Sequence, residues 1–76
     1  MSIIERRLGR RVAELRKLAG LTQAQLAERL DVATETISRL ERGAAVPSLA
    51  RLEGMAGEFG VEMWELFRWM PGRRGG

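Results

Sequence analysis

The sequence predicts an all-α fold, with five short helices in one compact domain, on three observations. The chain has 76 residues, which is room for one small core and not for two. Apolar residues recur at spacings of three and four in several separate stretches, which is the helical period. No stretch alternates apolar and polar residues over a useful length, so we predict no strand. We expect the domain to cover residues 1–70 and a flexible basic tail to cover residues 71–76.

The first two helices are predicted from an apolar stripe and from a capping pattern. The stripe runs along a first helix that Gly20 ends, and its members are Ile4, Leu8, Val12, Leu15 and Leu18. Thr22 and Gln25 have the spacing of a capping box, in which two side chains satisfy backbone N–H groups reciprocally. The second helix therefore starts after Thr22, and its predicted inner face consists of Leu26, Ala27 and Leu30.

A third and a fourth helix follow at short intervals. The third covers roughly residues 33–42, with Ile37 and Leu40 facing inward and Gly43 at its end. Ser48 caps the fourth helix. The apolar stripe of this fourth helix is Leu49, Leu52, Met55, Ala56 and Phe59.

Glycines mark the remaining part of the chain. Gly60 is suited to end the fourth helix, and a last helix runs from about residue 62 to residue 69. Gly54 and Gly57 are predicted on the outer side of the fourth helix. Two interpretations of this pair stay open: the glycines permit another chain to approach closely, or they have no role.

Composition excludes several classes of function. The chain has no His and no Cys, which removes disulfides, the usual zinc ligands, the commonest catalytic base and the thiol nucleophile. We therefore predict that the protein is not an enzyme and uses no metal or cofactor. No apolar run approaches the length of a membrane span or of a signal peptide, so we expect a cytoplasmic protein without a membrane partner.

Basic charge is concentrated in the first half of the chain. Residues 1–42 carry nine Arg or Lys against six Asp or Glu, whereas residues 43–72 carry two against four. The asymmetry favours one face for a polyanion. An ordinary solvated surface explains the same charges, so this signal has little weight by itself.

Residues 22–43 carry the pattern with the most functional content. Two helices that are too short to stand alone are joined by a turn of about three residues, with Ala27 at the crossing and Asp31 in the turn. Four outward residues of the second helix can hydrogen-bond base edges in a major groove, namely Thr34, Glu35, Ser38 and Arg39. Any exposed helix face is polar, so spacing alone leaves DNA binding and simple solvation open.

Residues from about 8 to 67 resemble the lambda-repressor/Cro-type (Xre-type) helix-turn-helix family of DNA-binding proteins. The matching stretches are Leu15-Arg16, Leu21-Thr22-Gln23-Ala24-Gln25-Leu26-Ala27, Thr36-Ile37-Ser38-Arg39-Leu40-Glu41-Arg42-Gly43, Pro47-Ser48 and Phe59-Gly60-Val61. The resemblance implies a compact five-helix DNA-binding domain with a central helix-turn-helix.

The resemblance also implies roles for individual residues. Thr34, Glu35 and Arg39 match positions that reach base edges, and Ser38 is assigned to base edges with a phosphate or secondary contact as its alternative. Phosphate contacts are expected from Gln23, Thr22, Thr36, Arg42, Arg10 and Arg11. Arg16 and Glu41 match a structural salt bridge of the family.

The sequence departs from the family pattern in three places. Ala33 stands where Ser or Thr usually caps the recognition helix, and Asp31 replaces the usual turn glycine. The loop over residues 44–46 lacks the basic residues that many relatives use for phosphates. Basic residues of the first helix can compensate for the loop, and they are Arg6, Arg10 and Arg11.

The last helix is expected to form a homodimer contact, as the matching region often does in the family. Met63 and Leu66 have the spacing to pack inward, whereas Trp64, Arg68 and Trp69 tend to face outward. The predicted dimer interface comprises Met63, Trp64, Phe67, Arg68 and Trp69. The alternative is that one tryptophan only folds over the small core.

Taken together, these features favour a homodimeric transcription regulator, with repression as the expected sign, that binds a near-palindromic operator in double-stranded DNA. Two alternatives stay open. One is an antitoxin, or another protein-interaction module, whose partner is a toxin. The other is the controller protein of a restriction–modification system.

Overall fold

The computed structural model describes residues 2–69, and in this range the chain forms four α-helices and one 3-10 helix without a strand. The α-helices are α1 (Ile3–Leu18), α2 (Gln23–Leu30), α3 (Thr34–Glu41) and α4 (Leu49–Phe59), and the 3-10 helix spans Met63–Phe67. The predicted all-α fold is confirmed, with a 3-10 helix in place of the fifth α-helix. The predicted tail over residues 71–76 lies outside the described residues.

Local side-chain contacts define where the helices begin. The Thr22 hydroxyl accepts from the Gln25 backbone N–H at 3.0 Å, and the Gln25 side chain accepts from the Thr22 N–H at 2.9 Å. The predicted capping box is therefore present, and Ser48 caps α4 as predicted. Ser2 and Glu5 form a further capping box at the start of α1, which the sequence analysis did not anticipate.

One core holds the helices together. It is formed by twelve buried side chains: Leu8, Val12, Leu15, Leu21, Leu26, Ala27, Ile37, Leu40, Leu52, Met55, Ala56 and Leu66. The predicted stripes extend too far, because Ile4, Leu18 and Leu49 are more than half exposed. Each of these three lies in the first or last turn of its helix, beyond the part that the other helices cover.

The crossing of α1 over the end of α3 depends on Gly9. A Cβ atom at this position would lie 2.4 Å from the Leu40 carbonyl oxygen and 2.6 Å from the Glu41 carbonyl oxygen. Both are backbone atoms, which cannot turn away as a flexible side chain can. Gly43, directly after α3, is packed against the backbone of Arg6 in the same way. These two glycines set how closely α1 approaches α3.

The two glycines inside α4, Gly54 and Gly57, lie on different faces of the helix. A Cβ atom on Gly54 would lie 3.2 Å from the side chain of Leu30, whereas a Cβ atom on Gly57 would meet nothing within 4 Å. The placement of Gly54 on the outer side is therefore wrong, because this residue lets α4 pack against α2 of its own chain. Gly57 does lie on an open face.

Candidate nucleic-acid interface

The helices α2 and α3 are joined by a three-residue turn that reverses the chain. Asp31 adopts a left-handed conformation with φ of 58°, which aspartate tolerates better than most residues. The backbone N–H of Val32 then donates to the Ala27 carbonyl at 2.9 Å and closes the turn. Because Ile37 and Leu40 are buried on the inner side of α3, the opposite side of this helix is directed away from the core.

The outer side of α3 carries the polar side chains that the sequence assigned to bases. Thr34, Glu35 and Arg39 are exposed, and Ser38 is half-buried. Thr36, assigned to a phosphate, is also half-buried. Ala33 provides no side-chain cap, so no capping side chain accepts from the first N–H groups of α3. The structure thus brings the predicted base contacts together on one accessible helix face.

A buried ion pair ties the end of α3 to α1. The Arg16 Nε donates to Glu41 Oε2 at 2.6 Å and its second terminal nitrogen donates to Glu41 Oε1 at 3.2 Å. The remaining terminal nitrogen of Arg16 donates to the Leu21 carbonyl at 2.8 Å. Only 9% of the Arg16 side chain and 7% of the Glu41 side chain are exposed. Each of the three guanidinium nitrogens therefore donates to an acceptor inside the protein, which is a structural role.

Gln23, the predicted phosphate contact at the start of α2, is joined to this ion pair. Its Nε2 donates to Glu41 Oε1 at 2.9 Å. The carboxylate of Glu41 therefore orients Gln23 from below, while a primary amide has a second N–H for an outside acceptor. Glu41 was predicted to have a purely structural role, and its contact with Gln23 escaped prediction because residues 18 positions apart give no periodic signal.

Guanidinium groups from α1 and from the end of α3 surround an open depression next to Gln23. The depression has a volume of about 470 Å³, and it is lined by Arg6, Arg10, Ala13, Gln23, Ser38, Glu41 and Arg42. Because the Glu41 carboxylate is already paired with Arg16, the three cationic side chains at this opening beside the N-terminus of α2 favour an anion. Of the two phosphate contacts predicted on α1, Arg10 lies here.

Arg11, the other phosphate contact predicted on α1, points elsewhere. Its Nε donates to the Glu65 carbonyl at 2.8 Å, and it forms an ion pair with Glu14. Only 15% of the Arg11 side chain is exposed. Arg11 therefore ties α1 to the 3-10 helix, and two of its three guanidinium nitrogens have partners within the chain.

The residues predicted for a dimer contact differ in exposure. Trp64 is 61% exposed and Arg68 is exposed. Met63, Phe67 and Trp69 are half-buried and pack against the core, with the Phe67 and Trp69 rings 5.7 Å apart between centroids. The prediction that Trp69 faces outward is wrong, because this ring closes over the core.

Residues 2–69 contain no group of three or more His, Cys, Asp or Glu side chains that could hold a metal ion. Over the same residues, the longest apolar helical stretch falls short of what a bilayer crossing requires.

Known sequences place the chain among regulators with a helix-turn-helix. The family model HTH_3, described as helix-turn-helix, matches residues 12–66. The immunity repressor protein of Bacillus phage phi105 is 38% identical over 56 residues, which are 74% of this chain and 39% of that protein. An HTH-type transcriptional regulator of Methanothermobacter thermautotrophicus is 45% identical over 51 residues, which are 67% of this chain and 74% of that protein.

Solved structures with a similar fold include regulators of the same kind as the similar sequences. The restriction-modification controller protein C.AhdI from Aeromonas hydrophila superposes with a TM-score of 0.77 at 32% identity, over 82% of this chain and 94% of that one. The clp gene regulator ClgR from C. glutamicum superposes with a TM-score of 0.78 at 26% identity, over 92% and 95%. With its helix-turn-helix, its exposed α3 face and these matches, the chain belongs to the HTH_3 helix-turn-helix family.

Proposed function

We propose that the chain is a DNA-binding transcription regulator that inserts α3 into the major groove of a near-palindromic operator, as a homodimer and with repression as its expected effect. The observation that carries this proposal is the exposed outer face of α3, where Thr34, Glu35 and Arg39 stand together above a buried inner face. The similarity to a phage immunity repressor supports a regulator of this kind.

Phosphate contacts would fix the domain on the duplex, and base contacts would select the sequence. Gln23 and the cationic depression lie beside α3, so a phosphate held there leaves the α3 face directed at the adjacent groove. Thr22, Thr36 and Arg42 are the further phosphate contacts in the proposal. Glu35 has the chemistry to accept from a cytosine amino group, and Arg39 to donate two hydrogen bonds to guanine.

Arg39→Ala is expected to weaken binding to the selected operator by about 1–3 kcal/mol and to relax the preference at one base pair. Operator sequences are obtained by selecting DNA from a random pool with the wild-type protein. Binding of each protein variant is then measured on the selected sequence and on its single-base variants. Gln23→Ala is the contrasting variant, because loss of a phosphate contact weakens binding to all sequences alike. An unchanged base profile for Arg39→Ala removes this residue from base recognition.

Trp64 is the anchor that we propose for the homodimer. Trp64 is 61% exposed and Arg68 is exposed, and both are residue types that are enriched at interface centres. Phe67 and Trp69, from the same segment, are half-buried and pack against the core, which anchors the segment to the domain. A twofold dimer would present two α3 helices about 34 Å apart, which is one turn of the duplex.

Trp64→Glu is expected to shift the protein from dimer to monomer in sedimentation and to weaken operator binding, because a charge opposes burial of this surface. Leu18→Glu is the matched control, since Leu18 is 78% exposed at the end of α1. If both variants sediment as dimers like the wild type, the dimer interface does not include Trp64 and lies elsewhere on the molecule.

A restriction–modification controller is the second candidate, and the similarity to C.AhdI favours it. The controller shares 32% identity with this chain, and the matched region covers 94% of its length. Mapping the selected DNA sequence onto the source genome separates the two candidates. A site directly upstream of methyltransferase and endonuclease genes supports the controller. If all sites lie upstream of other genes, the result supports a repressor of those genes.

A further inference from the structure

Arg42 does not extend away from the recognition helix but folds back along its outer face. One terminal nitrogen donates to the Ser38 hydroxyl at 2.5 Å, and the other lies 3.5 Å from Glu35 Oε2. Residues four and seven positions apart lie on the same side of a helix. The guanidinium therefore lies over two of the four side chains that we assign to base edges.

The pairing with Glu35 matters because of the charge on DNA. Glu35 is the one acidic side chain among the four proposed base contacts, and a duplex carries one phosphate charge per ~1.7 Å of its axis. An unaccompanied carboxylate on this face would be repelled by every sequence. With a guanidinium beside it, the same carboxylate keeps its ability to accept from a cytosine amino group, at a much smaller electrostatic penalty.

The ion pair of Arg42 and Glu35 contributes little to the stability of the free protein. Its side chains are 58% and 67% exposed, and ion pairs at such exposure contribute little to stability. Arg42 sits at the C-cap of α3, where its backbone hydrogen bonds do not depend on the side chain. Because the pair contributes little to folding, DNA binding is the process in which it can have a measurable effect.

We propose that Arg42 is a positioning residue for sequence recognition: it holds Glu35 and Ser38 in place on α3 and neutralises Glu35 against the phosphates. The inference rests on the proposed DNA recognition by α3 and makes it more specific. It assigns Glu35 to a base pair that contains a cytosine, and it gives Arg42 a sequence-dependent role in addition to the phosphate contact proposed above. A guanidinium has five N–H donors, so both partners can be held at once.

The test is a double-mutant cycle on DNA binding. Wild type, Arg42→Ala, Glu35→Ala and the double variant are measured on the selected operator, on its single-base variants and on random DNA. Positioning predicts that Arg42→Ala weakens operator binding about tenfold with Glu35 present and less than threefold with Glu35 absent. It also predicts that Arg42→Ala and Glu35→Ala flatten the base preference at the same base pair.

Arg42→Lys separates charge from geometry. A lysine keeps the positive charge but not the planar fork, so overall affinity is expected to stay close to the wild type while the preference at the Glu35 base pair weakens. Thermal unfolding of all variants should fall within a few degrees of the wild type, because the residues are exposed. A folded variant is therefore available for each arm of the cycle.

Other results overturn the inference. An equal loss for Arg42→Ala on operator and random DNA, independent of Glu35, identifies Arg42 as a simple phosphate contact while leaving the proposed function intact. A wild-type protein that selects no sequence from the pool overturns the proposed function, and this inference with it.

Discussion

Arg16→Met is expected to lower the free energy of unfolding by about 3–5 kcal/mol, because it leaves a buried carboxylate without its partner. Glu41 would retain only the Gln23 amide, and the buried Leu21 carbonyl would lose its donor. A domain of this size has a total stability of about 4–11 kcal/mol, so the variant is expected to be marginally folded at best. Urea unfolding followed by circular dichroism measures the change.

Two further variants show whether burial causes the effect. Arg29 and Glu58 form an ion pair with an N–O distance of 3.3 Å, and their side chains are 54% and 31% exposed. Arg29→Met breaks this pair and should lower the free energy of unfolding by less than about 1 kcal/mol. The double variant Arg16→Met/Glu41→Leu removes both charges and should recover at least about half of the loss. A loss below about 1 kcal/mol for Arg16→Met would contradict the buried ion pair.

Gly9→Ala is expected to cost about 3 kcal/mol, at the upper end of the range for overpacking. The added methyl group would lie 2.4 Å and 2.6 Å from two carbonyl oxygens at the end of α3, so a helix must move. This cost outweighs the gain of about 1 kcal/mol that alanine otherwise brings to a helix. Because the clash changes how α1 is packed against the proposed recognition helix, operator binding should weaken even at temperatures where the variant is folded.

Gly57→Ala is the matched control for this experiment. It is the same substitution inside a helix, but nothing lies within 4 Å of the new methyl group. Its unfolding midpoint should rise by about 4–8 °C, while that of Gly9→Ala should fall by more than that. If Gly9→Ala also raises the midpoint, the close approach of α1 to α3 is refuted.

The features that the sequence predicted well are local or periodic. The capping box of Thr22 and Gln25 depends on residues three apart, and the left-handed turn at Asp31 depends on one residue type. The burial of Ile37 and the exposure of Thr34 both follow from the helical period of α3. These signals were sufficient for the fold class and for the outer face of the proposed recognition helix.

The features that escaped prediction are contacts between distant parts of the chain. Trp69 was predicted to face outward and Leu49 inward, yet the tryptophan packs against the core while the leucine is 75% exposed. Arg10 and Arg11 are neighbours, yet only Arg10 reaches the depression beside Gln23. Gly9 gave a weak signal, since glycine costs about 1 kcal/mol inside a helix, but its reason lies in α3.

The carboxylate of Glu41 connects the interior of the domain to its surface, because it accepts from the buried Arg16 and from the half-buried Gln23. These contacts involve none of the exposed side chains of Thr34, Glu35 and Arg39. In the proposed function these three side chains select the DNA sequence, so substitutions there would change the target while Glu41 keeps α3 at the same angle to α1. The contacts that hold α3 in place and the side chains proposed to contact bases therefore belong to different residues.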